Sequence, residues 1–309
     1  FASPFSVYNA LSMAYDGAAK KTATEMRKVL KFKKDQKASH NEFVALLKDY
    51  QNTSKLFTIT NAAVAQKDYK FLDSYLNALK DYNAKISLAN FTDAKARMEA
   101  VNSINNWVSD NTNGKIKDLL SQNDLSELTR LVLLNAIYFN AGWAKEFDAE
   151  KTRQKTFYGK NSIEYITNFM NGNQKVELCE ADDYIMVKIP YAKNMASMYM
   201  IMPNQNVDFD KFAEKFDNDR FVADTAKLAE MSVELSMPKF KIESRYEMKD
   251  MLMDMGIVAA FSKSADFSKM NGKSDLQIDQ VIHQTFVEVA EKGTEAAAAT
   301  AVIMRAKSV

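Results

Sequence analysis

A run of small residues near the end of the chain restricts the fold more than any other feature. Residues 291–300 read EKGTEAAAAT and follow directly on the apolar run IHQTFVEVA. On a period of two, residues 294–307 divide into one face without charge and another that carries Glu295, Arg305 and Lys307. This division predicts a strand with one buried and one exposed face, because a helix would distribute the charges around its circumference. The residues alone leave a surface loop with incidental alanines as an equal alternative.

The small side chains of this segment have a physical use in a sheet. A strand that enters an already packed sheet must pass between close-packed neighbours, which short side chains allow. The alanine run is too short to be a stable helix by itself, so the segment can be irregular when free and extended when paired. Gly293, just before the run, gives the backbone freedom to turn at the point of entry.

The other secondary-structure signals mix helices and strands without a regular alternation. An apolar helical stripe runs from Met98 to Val108. This mixture favours the α+β class with large sheets over a doubly wound fold. Because the chain has only 8 glycines and 4 prolines and no visible linker, we expect a single domain over 1–309. The predicted strands lie at 131–139, 184–202, 232–243 and 281–289.

Charge and hydropathy exclude several classes of partner. The 41 Lys and Arg residues balance 40 Asp and Glu residues, which gives a net charge of +1 and no global footprint for nucleic acid. The longest apolar runs, 131–139 and 195–202, are far shorter than the ~20 residues that a membrane span needs. We therefore expect neither nucleic acid nor a membrane as a partner.

The residues that usually carry catalysis are scarce. His283 lies inside an apolar run, as a buried structural histidine would, and His40 follows a serine in a polar stretch where we expect it to be solvated. Cys179 is the only cysteine, and its acidic neighbours disfavour the thiolate that a nucleophile needs. Zinc-binding, nucleotide-binding and GxSxG motifs are absent from the sequence. These observations predict a protein that is not an enzyme and that needs no metal or cofactor.

Several segments together resemble the serpins, the family of serine protease inhibitors. EKGTEAAAAT looks like the hinge of the serpin reactive-centre loop, and SPFS at 3–6 resembles the serpin segment where a strand enters a helix. The remaining matches are NNWVSDNTNGKI (105–116), LVLLNAIYFNAGWAKEF (131–147), MPKFKIES (237–244) and VIHQTFVEVAEKGTEAAAAT (281–300).

This resemblance implies a fold and a mechanism. The fold would be the multi-helix serpin fold, with a large central sheet, smaller additional sheets and a reactive-centre loop at about 291–309 that can insert as a strand. The function would be suicide inhibition, in which a serine protease is trapped as a covalent acyl-enzyme when the cleaved loop inserts. The loop hinge would comprise Glu291, Gly293, Thr294, Glu295, Ala296, Ala297, Ala298, Ala299 and Thr300.

The resemblance also places the bond that the protease attacks. Counting along the loop as in the family, Lys307 and Ser308 flank the bond, and Lys307 fits the acidic specificity pocket of a trypsin-like protease. Arg305 is the runner-up for this role. If the end of the chain at Val309 marks a cleavage, the target would instead be elastase-like or cathepsin G-like.

Two further clusters are implied by the same resemblance. A polar cluster beneath the central sheet, the shutter, would contain Ser3, Ser6, Asn135 and His283. A second cluster at the point where insertion begins, the breach, would contain Trp143, Lys239 and Glu291, with an ion pair between the last two.

Some alternatives stay open at this stage. The chain lacks the first helix of the family before Phe1 and the strands that follow the loop after Val309, so the N-terminus does not decide between secretion, which we favour, and the cytoplasm. A non-inhibitory carrier or chaperone and an inhibitor of cysteine proteases are the functional alternatives. We expect a monomer.

Overall fold

The computed structural model describes residues 1–53, 56–159 and 163–307, with the side chains of 52 and 53 left out. No helix in these ranges combines the length and the apolar character that crossing a bilayer requires. The helices are α1 (Pro4–Asp16), α2 (Lys20–Val29), α3 (Gln36–Thr53), α4 (Asp73–Asp81), α5 (Ala94–Asn111), α6 (Phe209–Lys215), α7 (Asn218–Thr225), α8 (Lys249–Asp254) and α9 (Ser268–Asn271).

The strands of the described residues form a six-stranded and a five-stranded sheet. The first has the order β2-β1-β3-β11-β10-β9, and the second contains β4, β5, β6 and β7 with β8 paired to β5. The α+β class predicted from the sequence is therefore confirmed. The strands are β1 (Phe57–Gln66), β2 (Ala84–Ala89), β3 (Thr129–Gly142), β4 (Arg153–Tyr158), β5 (Glu164–Glu180), β6 (Tyr184–Pro190), β7 (Ser197–Pro203), β8 (Ala229–Pro238), β9 (Phe240–Glu247), β10 (Leu276–Ala290) and β11 (Gly293–Ala306).

The small-residue segment is a strand in the middle of the larger sheet. β11 follows β10 after Glu291 and Lys292 and lies between β10 and β3. At its far end, the amide of Ala306 donates to the carbonyl of Leu128, just before β3, at 2.8 Å. At its start, the amide of Trp143, just after β3, donates to the carbonyl of Lys292, just before β11, at 3.0 Å. The start of β11 therefore lies beside the end of β3, and the two strands are antiparallel.

The expectation that one face of this strand is exposed to water is wrong. Every residue from Ala297 to Met304 is buried. Val302 and Met304 belong to one apolar cluster, whereas Ala299 and Ile303 belong to a second cluster that includes α5 residues. Because helices cover both faces of the sheet, the alternate face meets α5 instead of water. Only the two ends of β11, where the charged residues lie, are partly exposed.

Residues of the chain group into two compact units, and strands β3, β9, β10 and β11 have residues in both. Unit 1 contains 1–139, 242–287 and the chain from Ala296 onwards. Its core packs α1 against the sheet on one side, and α5 packs on the other. Helix α1 begins after Ser3, which caps the helix because its hydroxyl accepts from the Ser6 amide at 3.3 Å. Pro4 follows at the first helical position, which proline favours.

Unit 2 contains 140–241 and 288–295 and holds the five-stranded sheet. The long strand β5 pairs with both β4 and β6 and along ten residues with β8. Cys179 is buried in its own small cluster with Tyr184, Met186 and Phe212. The single domain predicted over 1–309 stays a prediction beside this grouping.

Candidate functional site

The start of β11 lies against the end of β3 at very short range. A Cβ atom added to Gly293 would be 2.1 Å from the carbonyl oxygen of Ala141 and 2.7 Å from the Cα of Gly142. A Cβ atom on Gly142 would in turn be 3.2 Å from the Lys292 carbonyl oxygen. Glycine is therefore required at 293 for close backbone approach, in addition to the turning freedom that the sequence indicates.

Trp143 is bound to the turn that precedes β11. Its indole Nε1 donates to the carbonyl of Ala290 at 2.9 Å, and its ring stacks on Tyr191 with 4.6 Å between centroids and 8° between planes. The Tyr191 hydroxyl donates to Thr294 Oγ1 at 2.7 Å. Burial raises the pKa of Tyr191 to about 12, so its hydroxyl stays protonated as this donor. Trp143 and Tyr191 thus form the wall against which the first buried residue of β11 packs.

Glu291 is held from two directions in the same turn. Its Oε2 lies 2.7 Å from Lys239 Nζ, and its Oε1 accepts from the Thr152 hydroxyl at 2.8 Å. Its side chain is 13% exposed. Burial opposes ionisation, but the hydrogen bonds from Lys239 and Thr152 outweigh it and lower the pKa of the Glu291 carboxyl. The ion pair implied by the resemblance is therefore present, with a mostly buried carboxylate and a Lys239 side chain that is 36% exposed.

His283 connects the first residues of the chain to β11 inside unit 1. Its Nε2 accepts from the amide of Ser3 at 3.0 Å, so the neutral ring carries its proton on Nδ1. Nδ1 lies 2.8 Å from Thr300 Oγ1 and 3.2 Å from the carbonyl of Ala299. Burial lowers the pKa of His283 to about 4, so the ring is neutral near pH 7. This histidine is a fully hydrogen-bonded core residue, as its apolar sequence context predicts.

The hydrogen bonds continue from Thr300 across the sheet. Thr300 Oγ1 lies 2.9 Å from Ser6 Oγ, and Ser6 Oγ donates to Asn135 Oδ1 at 2.5 Å. Because the Ser6 hydrogen is used in that bond, the Thr300 hydroxyl donates to Ser6. Asn135 Nδ2 then donates to Asn61 Oδ1 at 3.0 Å. We call this chain of bonds from Ser3 through His283, Thr300, Ser6 and Asn135 to Asn61 the polar relay.

The polar relay contains two residues that the sequence did not assign to it. Ser3, Ser6, Asn135 and His283 come together as the resemblance implies. Thr300 was predicted only as a hinge residue, but it is the member that closes the relay from β11. Its position on the uncharged face of the period-two pattern was the signal available. Asn61 carried no such signal.

The residues around the predicted scissile bond are described only in part. Ser308 and Val309 lie outside the described residues. Arg305 Nε lies 3.2 Å from Asp279 Oδ1, and the Lys307 amide donates to the carbonyl of Asp275 at 2.8 Å. Both basic residues therefore have polar partners when β11 occupies the sheet.

The expectation that His40 is solvated is wrong. Its Nδ1 lies 2.7 Å from Asp16 Oδ2, its Nε2 lies 3.2 Å from Asp81 Oδ2, and its side chain is 11% exposed. The hydrogen bond with Asp16 raises the pKa of His40 despite burial. The polar stretch around His40 is part of helix α3 and not an exposed loop, so the surrounding sequence was misleading. Within the described part of the chain, no three His, Cys, Asp or Glu side chains are grouped so that they could hold a metal ion.

Comparisons with known proteins agree with this geometry. A family model described as "Serpin (serine protease inhibitor)" matches residues 1–309. An uncharacterized serpin-like protein from Thermococcus kodakarensis is 38% identical over 308 residues, which cover 98% of this chain and 71% of the relative. The leukocyte elastase inhibitor of Xenopus tropicalis is 34% identical over 316 residues, which cover 97% of this chain and 82% of the relative.

Solved structures share the arrangement over almost the whole chain. The solved structure "Cleaved Serpin 42Da" matches with a TM-score of 0.93 at 30% identity, and the match covers 99% of this chain and 82% of the chain of that structure. Human thyroxine-binding globulin with a cleaved reactive loop matches with a TM-score of 0.91 at 27% identity, and the match covers 99% of this chain and 91% of the globulin chain.

Proposed function

This chain belongs to the serpin family, and on that premise we propose that it is a suicide inhibitor of serine endopeptidases. The serpin fold predicted from the sequence is confirmed by the structural comparisons. In the proposed reaction, a protease serine attacks a bond in the reactive-centre loop and forms an acyl ester with the residue before that bond. The cleaved loop then inserts as a strand before water hydrolyses the ester, and the protease stays attached.

The observation that carries this proposal is the position of β11. The strand lies between β10 and β3, and the residues 297–304 are buried on both faces. Serpin loop insertion is an established case of strand addition to a sheet and of stored strain. A dozen main-chain hydrogen bonds of about 1 kcal/mol each would contribute on the order of 10 kcal/mol, comparable to the stability of a whole domain. Insertion can therefore drive an otherwise unfavourable displacement of the protease.

Each cluster around β11 supports a step of the proposed insertion. The hinge residues Gly293 and Thr294 enter first, next to the wall formed by Trp143 and Tyr191. The Lys239–Glu291 pair holds the turn from which the strand starts. The shutter residues would then exchange partners as Thr300 arrives and closes the polar relay. The other proposed hinge residues, Glu295 and Ala296 to Ala299, follow Thr294 into the sheet.

We propose Lys307–Ser308 as the bond that the protease attacks. A lysine before the bond suits a trypsin-like enzyme, whose specificity pocket holds a carboxylate. Attack after Arg305 would suit the same class of enzyme. Attack after Val309 would suit an elastase-like or cathepsin G-like enzyme. The name of the Xenopus relative, leukocyte elastase inhibitor, supports including elastase among the candidate targets.

A carrier function is the second candidate, and the likeness to thyroxine-binding globulin favours it. Non-inhibitory members of the serpin family tend to interrupt the hinge with bulky, charged or proline residues. Here Thr294 and Ala296 to Ala299 keep the hinge small. This composition supports inhibition over a carrier function.

The two candidates are separated by a denaturing gel. The full-length protein with an uncleaved loop is mixed separately with trypsin, with an elastase and with a papain-like cysteine protease. We expect a band at the summed mass with a serine protease that survives denaturation, and the mass of the released peptide identifies the bond. A band with the cysteine protease alone would assign the cross-class alternative. Cleavage without a stable band for all three enzymes would overturn the inhibitor proposal.

A further inference from the structure

The two basic side chains at the end of β11 meet acceptors that suit them closely. The guanidinium of Arg305 lies with its Nε 3.2 Å from Asp279 Oδ1 on the neighbouring strand β10. With the Gln277 amide oriented to satisfy its partners, its oxygen accepts from Arg305 Nη2 at 3.0 Å. A guanidinium has five donors and no acceptor, so a carboxylate and an amide oxygen side by side are complementary to it.

Lys307 meets a different acceptor set two residues further on. Its Nζ donates to the carbonyl of Ala265 at 2.6 Å and to the carbonyl of Ser274 at 2.5 Å. Its own amide donates to the carbonyl of Asp275 at 2.8 Å. An ammonium group offers three donors, and two of them are taken by oxygens that belong to fixed main chain.

The loop that supplies these oxygens is itself held in place. The Asp275 carboxylate accepts from the Tyr69 hydroxyl at 3.1 Å and from Asn271 Nδ2 at 2.7 Å. Asn271 Nδ2 also contacts the Tyr69 hydroxyl oxygen at 2.6 Å. The loop that carries the carbonyl groups of Ser274 and Asp275 is therefore held by Tyr69 and Asn271 in addition to its bonds with Lys307.

We propose that Arg305 and Lys307 form a basic latch that fastens the end of the inserted strand to unit 1. The inference rests on the proposed function, because it concerns the state in which the loop has inserted. It gives Lys307 two successive partners: first the carboxylate in the specificity pocket of a protease, then the carbonyl groups of Ala265 and Ser274. One ammonium group cannot occupy both places, so formation of the latch requires the lysine to leave the protease pocket. Both residues are thus positioning residues for insertion.

The first test measures whether the Lys307 ammonium is sequestered in the inserted state. The loop-cleaved, full-length protein is treated with an amine-acetylating reagent, and the labelling rate of each lysine is followed by mass spectrometry. Lys273 serves as the internal control because it is an exposed lysine in the neighbouring loop. We expect Lys307 to be labelled about 10-fold or more slowly than Lys273, the factor that one hydrogen bond from a charged donor gives. Equal rates would overturn the latch.

The second test examines the Arg305 half of the latch without altering Lys307. Arg305→Gln and Asp279→Asn are each expected to lower the unfolding temperature of the loop-cleaved protein, and Lys273→Gln is the matched control that leaves it unchanged. Because the two residues act as a pair, the double variant should unfold no lower than the more destabilised single variant. Additive losses would overturn the pairing.

Failure of the latch and failure of the proposed function give different results. If no protease forms a stable complex but Lys307 is protected in the cleaved protein, the inhibitor proposal fails and the latch stands. If the complex forms but Lys307 is labelled as fast as Lys273, the latch is wrong and the inhibitor proposal stands.

Discussion

Thr300→Val tests whether the polar relay stabilises the inserted strand. Valine has nearly the shape of threonine and suits a strand equally well, so the substitution removes the hydroxyl without opening a cavity. Ser6 Oγ loses its bond to Thr300 but keeps the bond to Asn135. His283 Nδ1 keeps only the carbonyl of Ala299, at 3.2 Å. Both partners are thus weakened but not orphaned.

The size of the effect follows from these remaining bonds. A buried hydrogen bond contributes about 0.5–1.5 kcal/mol net, and a buried group left wholly unsatisfied costs about 1–3 kcal/mol. With two bonds lost and both partners still holding one, we expect a loss of about 1–2 kcal/mol in the unfolding free energy of the inserted form. At about 1.5 °C per kcal/mol for a chain of 309 residues, the unfolding temperature should fall by about 1.5–3 °C.

The assay is differential scanning calorimetry on both loop states of the protein. The loop-cleaved form of Thr300→Val should show the loss, and the uncleaved form should stay within about 1 °C of the unsubstituted protein, as for a surface substitution. Thr58→Val is the matched control, because Thr58 is an exposed strand residue of β1. If Thr300→Val and Thr58→Val shift the unfolding temperature of the cleaved form equally, the Thr300 hydroxyl contributes nothing and the polar relay does not stabilise the inserted strand.

Two further predictions concern the start of β11 and the partly buried His40 of α3. Gly293→Ala places a Cβ atom against the Ala141 carbonyl and should destabilise the cleaved form by about 1–3 kcal/mol. The control is Gly172→Ala, whose Cβ atom would have ordinary contacts of 3.7 Å, and calorimetry should show no loss of stability for it. Because the pKa of His40 in the folded protein is raised above its usual 6.5, protonated His40 stabilises the fold fully below pH 6.5, and this stabilisation is lost as pH rises through the folded pKa. Urea unfolding from pH 6.5 to 8 should therefore show a decline in the unfolding free energy that is absent in His40→Gln. Equal declines in the two proteins would contradict this role of His40.

The period-two pattern over 294–307 indicated a strand, with a surface loop as the alternative, and the structure has a strand at Gly293–Ala306. The pattern did not predict which elements would cover each face, since that depends on tertiary packing. Ala299 and Ile303 read as an exposed face, but α5 lies over them. A strand covered on both faces needs no alternation, and small residues can occupy either side.

Boundaries and polar partners were harder to infer than the strands themselves. The apolar segment predicted at 184–202 is two strands, β6 and β7, because the chain turns back at 192–194. His40 gave no sign of burial because Asp16 and Asp81, its partners, are far from it in sequence. Asn61 was missed for the same reason. By contrast, Trp143, Lys239 and Glu291 were found because a family resemblance supplies long-range information that local patterns lack.

Thr294→Arg examines whether residues 293–306 inhibit by entering the sheet. Thr294 is 5% exposed and bonded to Tyr191, so a guanidinium there would cost several kcal/mol on insertion. Each 1.4 kcal/mol slows a step by about tenfold, which would allow hydrolysis of the acyl ester to finish first.

The measurement is the ratio of stable protease complex to cleaved inhibitor on a denaturing gel, with Thr58→Arg as the matched control. We expect the protease to cleave Thr294→Arg at the same bond but to give almost no complex, while Thr58→Arg gives as much complex as the unsubstituted protein. If Thr294→Arg forms as much complex as the unsubstituted protein, inhibition does not depend on insertion of this strand.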